Sequence, residues 1–328
     1  MIQICQFGAG RIGKVHASNI AAHPDARLRY VVDVDGEAAS ALARTHGADV
    51  TNPESALADP EISAIVIASS TDTHADFVEA GARAGKAIFC EKPIHLEIAR
   101  VDACLSVLRE CGATMFVGFN RRFDPSFAAL QDAVRNGRVG KVEMVSITSR
   151  DPAPPPIEYI SVSGGLFRDM MIHDFDMARW LLGEDPVEAF ATGSCLVDPA
   201  IGAAGDIDTA LVTLKTASGA LSQISNSRRA AYGYDQRIEV LGEKGMLRAE
   251  NRLPTSVEQS TADGILTDPP LHFFLERYAD AYRAEMSAFI AAVGGGGKSG
   301  PDGEDGRAAQ ALAEAALLSY EIGNVVRI

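Results

Sequence analysis

The chain has 328 residues, 47% hydrophobic and 23% charged, with a formal net charge of -14. That length exceeds one ordinary core and predicts two globular domains. The acidic balance argues against a nucleic-acid partner, and no apolar run is long enough to span a membrane. Five scattered cysteines without a CxxC pair, and no signal-like segment before the first strand, predict a reducing, cytoplasmic setting.

Taken in order, Ile2–Phe7 predicts a short buried strand, and Gly8-Ala9-Gly10-Arg11-Ile12-Gly13 follows it directly. A helix over 12–22 and a strand over 28–34 come next. A GxGxxG between a strand and a helix lets backbone N–H groups approach a pyrophosphate at the helix N-terminus. Asp33 ends the second strand, where a carboxylate holds the ribose hydroxyls of adenosine. Asp35 is a second candidate. Two acids here repel a 2′-phosphate, which favours NAD over NADP.

Strands over 62–68, 87–90 and 115–118 alternate with helices over 71–84 and 95–109. This alternation implies an α/β, doubly wound parallel sheet with its ligand at the carboxyl ends of the strands. Ser69, Ser70, His74, Glu91, Lys92 and Pro93 fall there. His74 reads either as an active-site group or as a helix-start histidine with a local hydrogen bond. Glu91-Lys92-Pro93 follows a buried strand, so its charged pair is expected to point into the cleft. A lysine beside a nicotinamide can stabilise developing alkoxide charge. The plain alternative is a surface ion pair. Pro93 is a candidate for a cis bond in a tight turn.

After Arg122 the alternation stops. A helix over 124–136, a strand over 142–149 and a rigid proline-rich loop over 151–156 lead to residues 164–183, which read as one helix. Phe167, Met171, Phe175, Ala178 and Leu182 form an apolar stripe on it. Asp169, His173 and Asp176 lie opposite. Asp169 and His173, four apart, put an acid beside an imidazole, the minimal kit for proton abstraction. A solvated acidic face is the plain alternative, and Asp174 fits neither. Strand-like stretches over 187–197, 208–216, 221–227, 236–241 and 245–250 predict an open, mostly antiparallel sheet in an α+β domain. One face would carry the helix with Asp169, and the other is available to a subunit interface. Helices over 276–293 and 306–325, joined by a glycine-rich loop over 294–300, close the chain. The expected division is 1–121 for the cofactor and 122–328 for substrate and oligomerisation, with a closing helix packing back on the first domain.

The strand–GAGRIG–helix, the EKP tripeptide and the Asp-xxx-His segment resemble the glucose–fructose oxidoreductase and inositol dehydrogenase family over nearly the whole chain. GFNRRFDPSF, FRDMMIHDFDMARWLLG and YGYDQRIEVLGEKG are most similar to the inositol 2-dehydrogenases. The resemblance implies a Rossmann domain holding NAD through Gly8, Gly10, Arg11, Ile12, Gly13, Asp33, Ser69, His74, Glu91 and Lys92. It implies a catalytic Lys92, Asp169 and His173, and a polyol site of Lys92, Arg122, Asp151, Asp169, His173 and Tyr234. It implies no metal, and a homo-oligomer, a tetramer in the family. The activity implied is NAD-dependent oxidation of a secondary hydroxyl of a cyclic polyol such as myo-inositol. A scyllo-inositol or sugar 1-dehydrogenase is the alternative within the family. Some inositol dehydrogenases carry a histidine and an asparagine where this chain has Ser149-Arg150-Asp151. A non-catalytic NAD-binding regulator, and a metal-dependent lyase or hydrolase using His173, Asp174 and Asp176, remain open from other classes.

Overall fold

The computed structural model describes residues 1–296 and 300–328, so the glycine-rich loop expected over 294–300 lies partly outside the described residues. The chain divides into two compact units: Met1–Phe123 with Ala281–Ala308, and Asp124–Asp280 with Ala309–Ile328.

The first unit runs β1 (Ile2–Phe7), α1 (Arg11–Ala22), β2 (Ala26–Val32), α2 (Gly36–His46), β3 (Asp49–Val50), α3 (Pro53–Ala58), β4 (Ile62–Ile67), α4 (Thr71–Arg83), β5 (Ala87–Cys90), α5 (Ile98–Cys111) and β6 (Met115–Val117). Its six strands pair in parallel in the order β3-β2-β1-β4-β5-β6. The order reverses between β1 and β4, the switch point where a doubly wound sheet opens a ligand crevice. Ile4, Ile65, Val66 and Ile67 are fully buried, as near-continuous apolar strands must be when helices cover both faces.

The second unit contains α6 (Pro125–Arg135), β7 (Val142–Arg150), α7 (Ile157–Ser163), α8 (Gly165–Asp169), α9 (Ile172–Leu182), β8 (Pro186–Ser194), α10 (Pro199–Ala203), β9 (Thr209–Thr216), β10 (Leu221–Ser227), β11 (Asp235–Gly242), β12 (Gly245–Ala249), the hairpin β13 (Glu258–Thr261) and β14 (Gly264–Thr267), and α11 (Phe274–Arg277). The chain then continues through α12 (Ala279–Val293), α13 (Gly303–Ile322) and β15 (Val326–Arg327). Most of α12 belongs to the first unit, where Met286, Phe289 and Ile290 share a core with Ile20, Leu28 and Leu42.

The second sheet has seven strands in the order β12-β11-β7-β10-β9-β8-β15. Only β7 and β10 run parallel; the other pairs are antiparallel. Val145, Ile147, Val212, Leu214, Ile224 and Val240 are buried on one face, against which α9 packs. The alternate positions leave Phe190, Leu211, Leu221 and Leu241 exposed on the other. This period of two is what a sheet with one covered face requires.

One expectation fails in an informative way. Residues 164–183 do not form one helix. Gly164 and Gly165 have φ of +88° and +82°, left-handed values that start the chain afresh. The N–H groups of both Met170 and Met171 bond to the Leu166 carbonyl, so one extra residue slips into the spiral. A new helix then starts at Ile172. Nor is the acidic face a solvated one: Asp176 on it is 1% exposed and Asp169 and His173 are half-buried, while Asp174, off that face, is 0% exposed.

Candidate active site

The glycine loop of the first unit is fixed by backbone crowding. A Cβ on Gly8 would lie 2.3 Å from the Ala68 carbonyl oxygen, and one on Gly13 would lie 2.2 Å from that of Gly8. Gln6, in the buried strand before the loop, donates from Nε2 to the Gly8 and Gly13 carbonyls at 2.8 and 2.7 Å. A Cβ on Gly10 would meet nothing within 4 Å. The loop is therefore held from behind and open in front. Helix α1 starts there without a side-chain cap, leaving its first N–H groups for an anion. Arg11 is exposed on its first turn and Ile12 half-buried. Asp33 accepts from the Ala9 N–H (2.6 Å) and the Asp35 N–H (2.8 Å), which ties it to the loop. Asp35 instead caps α2, accepting from the N–H groups of Glu37 and Ala38. Open backbone at Gly10, an uncapped helix and a carboxylate at the end of β2 fit a dinucleotide.

At the carboxyl ends of β4 and β5, Ser69 and Thr73 share a hydroxyl hydrogen bond of 2.7 Å. His74 is 1% exposed, its Nδ1 2.8 Å from the Pro93 carbonyl and its Nε2 3.2 Å from that of Ser69. Burial pushes this imidazole below its ordinary range, outweighing the two carbonyls. A neutral ring carries one N–H, so His74 donates to one of these two carbonyls while its buried ring sits between the loops that bear them. The Lys92–Pro93 bond is cis. Lys92 is half-buried. Glu91, expected in the cleft beside it, turns inward: its Oε1 lies 2.7 Å from His16 Nε2. Its other oxygen would be 2.8 Å from a Cβ on Gly118. Arg122 forms a two-pronged pair with Asp305, at 3.1 and 2.9 Å.

In the second unit, Asp169 ends α8 and His173 lies half-buried in the first turn of α9. Asp169 is held from two sides. Tyr159 donates its hydroxyl to Oδ1 at 2.8 Å, and Arg228 Nη1 lies 3.5 Å from Oδ2. Arg228 is 1% exposed, with Nη2 3.6 Å from Asp206 Oδ2. Asp206 Oδ1 in turn accepts the Leu166 N–H at the start of α8. Sequence reasoning missed Tyr159, Asp206 and Arg228. The signal available for Arg228 was a charge directly following an alternating strand. Asp174, which fitted neither reading of the helix, accepts from Asn226 Nδ2 at 2.9 Å and so fastens α9 to β10. Asp151 is half-buried, its N–H on the Ser227 carbonyl. Tyr234 is 6% exposed and packs edge-on to Tyr278. Ser149 is fully buried and bonded to Gln236, which places it in the sheet's polar core. No group of three or more His, Cys, Asp or Glu arranged to hold a metal occurs among the described residues.

Residues 2–119 match the oxidoreductase family with an NAD-binding Rossmann fold, and residues 127–248 match the GFO/IDH/MocA C-terminal domain. The chain belongs to the GFO/IDH/MocA oxidoreductase family. It is 57% identical over 314 residues to an inositol 2-dehydrogenase of Rhizobium meliloti, covering 95% of each chain. It is 46% identical over 329 residues to a myo-inositol 2-dehydrogenase of Thermotoga maritima, covering 100% of this chain and 98% of that one. The crystal structure of scyllo-inositol dehydrogenase from Lactobacillus casei with NAD(H) and scyllo-inositol superposes with a TM-score of 0.92. That match is at 29% identity, over 100% of this chain and 99% of that one. The protein is thus an oxidoreductase whose first unit is an NAD-binding Rossmann domain.

Proposed function

We propose that the protein is an NAD-dependent inositol 2-dehydrogenase that oxidises myo-inositol to its 2-ketone in cytoplasmic polyol catabolism. The observation that carries this reading is the 57% identity to the Rhizobium meliloti enzyme over 95% of both chains, with Lys92, Asp169 and His173 all present. NAD supplies the hydride acceptor. Lys92 stabilises negative charge on the reacting oxygen. His173 removes the hydroxyl proton as general base, a contribution of roughly 10²–10⁴-fold. Asp169, fixed by Tyr159 and Arg228, orients the imidazole or a neighbouring hydroxyl. Tyr234 and Asp151 complete the polyol site, and Arg122 holds its segment through Asp305.

The exposed row Phe190, Leu211, Leu221 and Leu241 supports a homo-oligomer built on the uncovered face of the second sheet, with the tetramer coming from the family resemblance. The five cysteines are free thiols, consistent with a reducing compartment. An NAD-reduction screen across inositol isomers and hexoses tests the assignment. Myo-inositol is expected to give the highest kcat/KM. A hexose or scyllo-inositol ahead of it would move the protein to the alternative within the family. No turnover with any polyol would favour a regulator.

A further inference from the structure

Helix α12 carries a carboxyl that the mechanism does not use. Glu285 is 0% exposed, and neither carboxyl oxygen has a hydrogen-bond partner among the described protein groups. It lies three residues after Tyr282 and four before Phe289, so the three share one helical face. The Tyr282 ring stands edge-on to His16 at 5.9 Å, and Phe289 stands edge-on to Phe89 at 5.7 Å. Phe89 itself packs against His16 at 4.9 Å. Glu285 is therefore bracketed by Tyr282, which packs on His16, and by Phe289, which packs on the Phe89 ring beside His16; His16 in turn holds Glu91. Glu91 is the neighbour of Lys92. Of the titratable groups, Glu91 after β5 acts electrostatically on Glu285, and His16 on α1 lies against Tyr282 on the same helical face.

We propose that Glu285 is a positioning residue for Lys92, a second carboxyl that sets the placement of the Glu91–His16 pair behind the lysine. The inference rests on the reading of Lys92 as a catalytic residue. Glu285 acts as the protonated acid. A bare carboxylate in this apolar wall would meet the Glu91 carboxylate, and no ion pair to Glu285 occurs among the described residues. Burial first, and the Glu91 charge second, push its titration well above the ordinary value of 4.5. Internal water between the Glu285 carboxyl and His16 Nδ1, which also lacks a protein partner, would complete the connection.

The sign of the stability effect is fixed. Above pH 4.5 the unfolded chain releases this proton and the native chain keeps it, so native stability falls as pH rises toward the raised folded value. Glu285→Gln keeps the shape and removes the proton. Its unfolding equilibrium is expected to improve on that of the wild type by up to about tenfold per pH unit in that window. Glu285→Asp withdraws the carboxyl by one methylene. It is expected to lower kcat for the polyol at least tenfold with the KM for NAD little changed, and Glu285→Gln to recover most of that loss. Three results would overturn the proposal: a stability gap between wild type and Glu285→Gln that does not vary with pH, full kcat in Glu285→Asp, or a Gln variant as impaired as the Asp variant. Full turnover in Lys92→Ala would remove the lysine reading instead, and the stability gap would still report on Glu285.

Discussion

The two units make their sites from different materials. In the first, the loop proposed to cradle the cofactor is mostly backbone: Gly8 and Gly13, which tolerate no Cβ, uncapped N–H groups on α1, and carbonyls held by Gln6 and His74. In the second, the segment proposed to react is held by buried charge: Asp169 on Arg228, Arg228 on Asp206, and Asp174 on Asn226. Backbone sites are rigid because few conformations reach them. Charge-built sites are rigid because each member, once buried, is costly to leave unpaired. The first kind should fail sharply at single glycines, and the second should fail gradually along a chain of partners.

The largest effects should fall where chemistry occurs. His173→Ala and Lys92→Ala are each expected to lower kcat by two or more orders of magnitude. His173→Ala should leave NAD affinity intact, since the glycine cradle lies wholly in the other unit. Fluorescence titration with NAD and steady-state turnover with myo-inositol check both. Loss of NAD affinity in His173→Ala would break the division of labour between the units.

The glycines give the next test. Gly13→Ala puts a methyl 2.2 Å from a backbone oxygen and should not yield a native fold. Gly10→Ala meets nothing in the protein, so its melting temperature should match the wild type. Its NAD affinity should fall tenfold or more, because the added methyl stands where a pyrophosphate approaches. Unchanged NAD affinity in Gly10→Ala would place the phosphates elsewhere.

On the charged side, Arg228→Met is expected to reduce kcat about tenfold and Arg228→Lys somewhat less, because lysine keeps the charge but not the fork. Combined with Asp169→Asn, the losses should be less than additive, since both act on one carboxylate. Full additivity in the cycle would separate Arg228 from Asp169.

The same contrast explains what could be read from the sequence. GAGRIG, the apolar strands and EKP are local signals, because backbone conformation and strand burial are written in neighbouring residues. The near-continuous apolar run of β4 and the alternation of β9 both became strands. Helix periodicity over 164–183 could not show the slip at Leu166, because that slip follows from two left-handed glycines and from Asp206, forty residues away. The partners of Asp169 come from α7 and from the end of β10, and only the fold brings them together. The sequence places Glu91 in the cleft beside Lys92, and its inward turn depends on His16, seventy-five residues earlier. Asp174 was the misfit that pointed to a buried contact, and Asn226 supplied it.

The smallest expected effect isolates a charge that has no part in the chemistry. Asp208 is fully buried beside β8 and accepts from the N–H groups of Leu196, Val197 and Asp198, at 2.8, 2.8 and 3.1 Å, and from the Thr209 hydroxyl. Burial alone would raise its titration, but the three N–H groups and the hydroxyl outweigh it and hold the carboxyl below the ordinary 3.8. The folded value is depressed, so the stabilisation is complete above pH 3.8 and is lost as pH falls toward the folded value. Asp208→Asn removes that dependence and turns an amide donor toward donors. The variant should be less stable than the wild type near neutrality, and the gap should close in acid. Urea unfolding at several pH values measures it, with NAD affinity at neutral pH as the control for the first unit. A gap that stays constant into acid would show that Asp208 acts by shape rather than charge, and would weaken the case that the second unit is held by charge beyond its reactive segment.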